Sequence, residues 1–208
     1  RHAFGIPGGE VLTLIDALER AGIRFHLARH ENAAGFMAEG TWHATGAPGV
    51  LVATVGPGLA NAFNVVANAE QDRVPLIVLS GMVDPATAMT YTHQVFDHSA
   101  AMRTVCKASY RAAPGGVEAM MAKALRLARS GRPGPVHIDL PIAVAAAEEP
   151  EGPLPADPAA LGAPAGPGVA AAHALFAASM RPVIVAGLDA VNEPGAPEAI
   201  RAFAERHS

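Results

Sequence analysis

Along most of this chain, short β-branched runs bounded by Gly and Pro alternate with longer Ala-rich stretches of helical period. That alternation predicts βα units: a parallel sheet flanked by helices on both faces, in the α/β class. Strands are expected over Ala3–Gly5, Ile23–Ala28, Gly49–Thr54, Leu76–Leu79, Val105–Tyr110 and Val136–Leu140. Helices are expected over Gly9–Ala21, Glu31–Thr45, Leu59–Gln71 and Gly116–Ser130, with a weaker signal between Asp84 and Met102. On the first helix Val11, Leu14, Ile15 and Leu18 fall at i, i+3, i+4 and i+7, one apolar stripe for the sheet.

From Ala145 to Gly168 the apolar period stops. The stretch "AAAEEPEGPLPADPAALGAPAGPG" is rich in Pro, Ala and acid and reads as a semi-stiff linker. The organisation expected is a first domain over residues 1–145, a linker over 146–168 and the start of a second α/β domain over 169–208. In that last piece Val169–Ser179 reads as a helix, "RPVIVAGLDAV" as a buried strand and Pro197–His207 as a second helix. An α-β-α piece cannot close a core alone. With Arg1 at one end and Ser208 at the other, the expectation is a fragment of a longer protein.

Composition narrows the function classes. Half of the 208 residues are hydrophobic, 16% are charged, and the net charge of -4 comes without any acidic or basic block, so neither nucleic acid nor an anionic membrane is the expected partner. The longest apolar runs, "VLVATV" and "PLIVLSGMV", fall far short of the roughly 20 residues of a membrane span. A cytoplasmic protein is expected. Cys106 is the only cysteine; it excludes an intrachain disulfide and reads as a small buried hydrophobe rather than a nucleophile.

Candidate chemistry sits where parallel sheets bind ligands, at the carboxyl ends of strands. Four segments fall there: "GIPGG" at 5–9, "RHE" at 29–31, "TVGPG" at 54–58 and "SGMV" at 80–83. Gly56 and Gly58, either side of Pro57, let a ligand approach the backbone, although a plain strand-to-helix turn has the same composition. A dinucleotide fingerprint fails, because Asn61 replaces its third glycine and no acid ends a strand about 20 residues later. Glu31 has two readings: a carboxylate favoured by the helix dipole, or a functional acid on a helix kept slim by Ala33, Ala34, Gly35, Ala38 and Gly40. His93 and Gln94 lie in the segment of weakest periodicity, and His98 follows; no third ligand sits at metal-binding spacing, so no metal site is assigned.

Taken in order and spacing, "FGIPGGEVLTLIDAL", "RHENAAGFMAEG", "GVLVATVGPGLANAFNVVANAEQDRVPLIVLSG" and "SGRPGPVHIDLP" resemble the pyrimidine-binding domain of thiamine-diphosphate-dependent 2-oxoacid enzymes, acetolactate synthase-like members above all. The resemblance implies that Glu31 is the catalytic glutamate, hydrogen-bonding N1′ of the aminopyrimidine ring. It implies that Ile6, Pro7, Gly8, Thr54, Gly56, Pro57, Gly58 and Asn61 line the cofactor, with Gly9, His93 and Gln94 on the substrate side. Gly9 follows the synthase-like pattern, where simple decarboxylases carry Asp or Ser. Thr54 stands where benzoylformate decarboxylase-like members place a histidine, His93 replaces a phenylalanine, and Met82 departs from the "SGQ" of the synthases. The resemblance further implies a 2-oxoacid substrate, an active site shared with a second copy of the full-length protein, and Mg2+ held by residues outside this segment. Flavin, bound by some acetolactate synthases, has no support in these residues. The alternatives are another thiamine-diphosphate decarboxylase or lyase, and a non-catalytic binding or assembly module that keeps the fold.

Overall fold

A computed structural model of the chain describes residues 1–149, 152 and 163–207. The chain divides into two compact units, Arg1–Ala156 and Asp157–Ser208.

In the first unit the strands β1 (His2–Gly5), β2 (Arg24–Leu27), β3 (Gly49–Ala53), β4 (Leu76–Met82), β5 (Ala108–Arg111) and β6 (Val136–Pro141) form one sheet in the order β2-β1-β3-β4-β6-β5. Every pairing is parallel. The helices are α1 (Leu12–Arg20), α2 (Glu31–Thr45), α3 (Pro57–Gln71), α4 (His98–Met102), α5 (Val117–Arg129) and α6 (Ile142–Ala145). The expected α/β class and all six expected strands of this unit are realised, with shifts at the ends. The first helix begins at Leu12 because the chain turns at Gly8, whose carbonyl accepts from Val11 N–H at 3.0 Å. The third begins at Pro57, whose missing N–H costs nothing in a first turn. Strand β5 begins at Ala108, because its ladder to β6 starts there, opposite Val136.

Two-residue periodicity sorts the strand side chains into separate cores. Leu51 and Ala53 of β3, with Leu76 and Val78 of β4, pack under α2 and α3. Val52 faces the side of α1, with Val11, Leu14 and Leu18. Ile77 and Leu79 of β4, with Val136, Ile138 and Leu140 of β6, pack against Ala124 and Ala128 of α5. Burial on both faces explains why these strands are nearly continuous in apolar residues.

Small residues on α2 serve close packing within the unit. A Cβ on Gly35 would fall 2.2 Å from Val65 Cγ1 of α3, and one on Gly49 would fall 2.1 Å from the Ala38 carbonyl oxygen. Three polar rungs tie the same two helices: Asn61 Nδ2 donates to Glu31 at 3.1 Å, Asn64 Nδ2 to Asn32 at 3.2 Å, and Asn68 Nδ2 to both carboxylate oxygens of Glu39. The substitution Gly35→Ala is expected to destabilise the unit by about 1–2 kcal/mol, the overpacking cost outweighing the better helix propensity of alanine. Urea unfolding measures it. Val65→Ala in the same chain should recover part of the loss, and an unchanged midpoint in the single variant would contradict this packing.

In the second unit the helices are α7 (Pro167–Ala178), α8 (Leu188–Asn192) and α9 (Ala196–His207). Helices were expected at both ends, but the strand expected over 181–191 does not form among the described residues. A strand exists only through ladder hydrogen bonds to a neighbour, and none lies beside it here; Val183 and Val185 are 86% and 91% exposed. The expected linker over 146–168 lies largely outside the described residues. Glu149, within that expected linker and among the described residues, accepts from Val117 N–H at 2.8 Å and Gly115 N–H at 3.1 Å, capping the start of α5.

Candidate functional site

The strand order reverses between β1 and β3: the chain runs outward from β1 to β2, then returns across β1 to β3 and proceeds the other way. In open parallel sheets that reversal opens a crevice at the carboxyl edge. The segments after β1 and β3, residues 5–9 and 54–58, flank it.

Backbone contact across this crevice is close because glycine removes the side chains. A Cβ on Gly8 would fall 2.3 Å from Thr54 Cγ2, and one on Gly58 would fall 2.2 Å from Thr54 Oγ1 and 3.4 Å from Glu31 Oε1. Thr54, Gly8, Gly58 and the Glu31 carboxylate therefore meet at one place. Glu31 opens α2 and is buried, at 6% exposure. Its neighbour His30 is the N-cap, accepting from Asn32 N–H through Nδ1 at 3.1 Å, so it is engaged with the helix end. Asn61, one turn into α3, donates to Glu31 Oε2 at 3.1 Å and orients the carboxylate. Ile6 is half-buried and Pro7 exposed on the loop before Gly8, and Pro57 is exposed at the head of α3. Gly9 is open, with no heavy atom within 4 Å of where its Cβ would be.

The segment around His93 and Gln94 reaches the crevice through its backbone. Gly56 has φ +59, and a Cβ there would fall 2.0 Å from the carbonyl oxygen of Gln94, so only glycine fits. Gln94 is itself left-handed, at φ +58. The side chains of His93 and Gln94 are exposed.

Behind the Gly56 turn lies a buried polar cluster that sequence reasoning passed over. On β6, Val136, Ile138 and Leu140 face the α5 core, while His137 and Asp139 face the other way with zero exposure. Ser80 of β4 stands opposite Asp139 in register and donates to its Oδ1 at 2.7 Å; its Oγ is also 2.7 Å from His137 Nε2. His98 Nδ1 donates to the same Asp139 oxygen at 2.7 Å, and His98 Nε2 accepts from Gly56 N–H at 3.0 Å. Ser109 Oγ is 2.7 Å from His137 Nδ1. The second Asp139 oxygen has no hydrogen-bond partner among the described residues. Period-two polar residues inside a run otherwise apolar, "VHIDLP", were the available signal.

Burial sets the protonation of this cluster. It pushes the His137 imidazole down to about 4, opposed by Asp139 and reinforced by His98, so the ring is neutral. For Asp139 burial alone would raise the carboxyl, but hydrogen bonds from His98 and Ser80 and the nearby His137 outweigh it and hold it below its usual value. Ser80, His137 and Asp139 resemble a hydrolytic triad only by composition. Ser80 has zero exposure and bonds the aspartate directly, so no substrate carbonyl reaches it. Burial, with Glu70 nearby, also raises the thiol of the partly buried Cys106 to about 12, as for an unreactive cysteine.

Among the described residues no helix is long and apolar enough to cross a membrane, and no group of three His, Cys, Asp or Glu could hold a metal ion.

Known proteins with this pattern point one way. Residues 1–101 match the family model for the thiamine pyrophosphate enzyme, N-terminal TPP binding domain. The chain is 37% identical over 206 residues to the acetolactate synthase isozyme 1 large subunit of Escherichia coli (strain K12), covering 97% of this chain and 36% of that protein. It is 43% identical over 143 residues to the isozyme 3 large subunit of the same organism, covering 68% of this chain and 25% of that protein. It is 36% identical over 214 residues to "Probable 2-ketoarginine decarboxylase AruI" of Pseudomonas aeruginosa, covering 98% of this chain and 37% of that protein. The chain thus spans between a quarter and somewhat over a third of the length of these curated relatives. Parallel sheet, glycine-lined crevice and sequence matches together make the chain a member of the thiamine-diphosphate-dependent enzyme family, its first unit an acetolactate synthase-like N-terminal domain.

Proposed function

We propose that the crevice between the 5–9 and 54–58 segments is the pyrimidine half of a thiamine-diphosphate site, in an enzyme that decarboxylates a 2-oxoacid and ligates the product to a second carbonyl. The observation that carries this reading is the buried Glu31 carboxylate, oriented by Asn61 and facing a wall made slim by Gly58. A flat heteroaromatic ring fits such a wall, since no Cβ intrudes, and its ring nitrogen would meet the carboxylate. Ile6, Pro7, Gly8, Thr54, Gly56, Pro57, Gly58 and Asn61 would hold the ring, with Gly9, His93 and Gln94 toward the substrate. The cofactor, when bound, supplies the electron sink that lets carbon dioxide leave a 2-oxoacid. Glu31 would hold a proton shared with the ring nitrogen, and Asn61 would keep the carboxylate turned toward it. Mg2+ and the diphosphate would be held by residues outside this segment, on a second copy of the full-length protein, in the cytoplasm.

A second reading, a decarboxylase without ligation, is favoured by the likeness to the protein named as a 2-ketoarginine decarboxylase. Incubating the full-length protein with thiamine diphosphate, Mg2+ and a panel of 2-oxoacids tests both. Cofactor-dependent carbon dioxide release with a ligated product supports the first reading; release with the aldehyde alone supports the second. Neither release nor saturable cofactor binding would sink both.

A further inference from the structure

The structure assigns a positioning role to His98: we propose that it holds the Gly56 turn, and with it the Thr54–Gly58 wall, in register with Glu31. The geometry is independent of any ligand; its link to a cofactor rests on the function proposed above.

His98 is buried at 4% exposure and committed through both ring nitrogens. Gly56 N–H points at Nε2, so Nε2 carries the lone pair and Nδ1 carries the proton donated to Asp139. The rest of the cluster fixes this tautomer. Ser80 O–H points at the same Asp139 oxygen, which makes its Oγ the acceptor for His137 Nε2–H. His137 Nδ1 is then the acceptor for Ser109 O–H, and Ser99 Oγ lies 3.1 Å from Ser109 Oγ. Protons thus run inward from both sides and end on Asp139, which must be a carboxylate acceptor. An edge-on contact with Phe96, ring centroids 4.8 Å apart, holds the imidazole from the side.

The far end of this chain of bonds is the turn that shapes the crevice. Gly56 is clasped twice by the 94–98 segment, through the Gln94 carbonyl against its Cα and through His98 on its N–H. Two residues away on either side, Thr54 and Gly58 form the wall beside Glu31. A Gly56 amide released from His98 is a buried donor without a partner, and the turn must move to find one. The wall moves with it.

Two substitutions separate the bonds. His98→Asn retains an amide that reaches Asp139 but nothing that reaches Gly56; His98→Gln retains an acceptor at the Nε2 position. In the intact protein, amide hydrogen exchange at Gly56 is expected to rise roughly tenfold or more in H98N, to stay within a few-fold of wild type in H98Q, and to be unchanged in both at Val78 in the sheet. The apparent Kd for thiamine diphosphate should rise with the exchange, in H98N and not in H98Q. Equal exchange at Gly56 in H98N and wild type, or acceleration that is the same at Gly56 and Val78, would overturn the assignment. A cofactor affinity equal in all three proteins would overturn the link to the site. Where H98N does not fold, the wild-type imidazole 15N shifts decide: a bare Nε2 supports the role, a protonated Nε2 refutes it. Absence of cofactor binding by the wild type would count against the proposed function alone, since Gly56 exchange needs no ligand.

Discussion

Replacing Glu31 by glutamine is expected to slow exchange of the C2 proton of thiamine diphosphate bound to the full-length protein by about 10²–10⁴-fold, the usual worth of one positioned proton donor or acceptor. The substitution is isosteric, and a glutamine carbonyl still accepts from Asn61 Nδ2, so the rung between α2 and α3 survives. The helix start loses a favourable charge, at about 0.3–1 kcal/mol, too little to unfold the domain. What disappears is the group able to take and return a proton at the ring nitrogen. Exchange at the wild-type rate would remove Glu31 from the role proposed for it. A collapse of cofactor affinity without any change in the exchange of the remaining bound cofactor would make Glu31 a binding residue only.

Acidification is expected to destabilise the first unit well before carboxylates in general protonate. In the unfolded chain His137 takes up a proton near its ordinary value of 6.5, whereas in the fold burial delays this to about 4. Between those values the unfolded state binds more protons, so stability falls as pH falls. A drop from 6.5 to about 4 corresponds to about 3 kcal/mol, complete near pH 4. Asp139 adds a later loss, because its folded value lies below its ordinary one and its contribution disappears as pH falls through that lower value. Glu39 works the other way: burial raises its carboxyl, against the Asn68 hydrogen bond, so its contribution is present at low pH and is lost as the pH rises through the folded value. Urea unfolding at a series of pH values from 7.5 to 4 measures the slope. His137→Gln should flatten it, and equal unfolding free energies of the wild type at pH 7 and pH 4.5 would contradict the assignment.

The α/β class, the six strands and the four loops at one sheet edge were legible because each rests on local signals: apolar period, β-branched runs, and Gly or Pro at the breaks. The resemblance carried by those loops also led to the family that the sequence matches support. Three things were not legible. The small residues of α2 were explicable as room for another surface or for a flat ligand, and sequence could not choose between them; Gly35 makes room for Val65, a neighbour thirty residues on that only the fold brings close. The run "RPVIVAGLDAV" has strand composition, yet a strand is a property of two segments, and a single run says nothing of the second. His98 lay in the segment of poorest periodicity and was weighed only as half of a metal pair; its worth comes from Asp139, Ser80 and Gly56, dispersed along the chain and joined by parallel pairing of β4 with β6.

Glu31 divides along the same line. From sequence alone it is the first residue of a helix, which the dipole favours and which the residues around it leave with two readings. Tertiary structure decided that it is buried, that Asn61 of another helix orients it, and that two glycines and a threonine from other loops stand before it. Local periodicity is encoded by neighbours a few residues apart, so the sequence by itself determined the six strands of the first unit and their order along the chain. Desolvation and hydrogen bonding of a single carboxylate depend on atoms delivered from distant segments, and those only the folded chain could place.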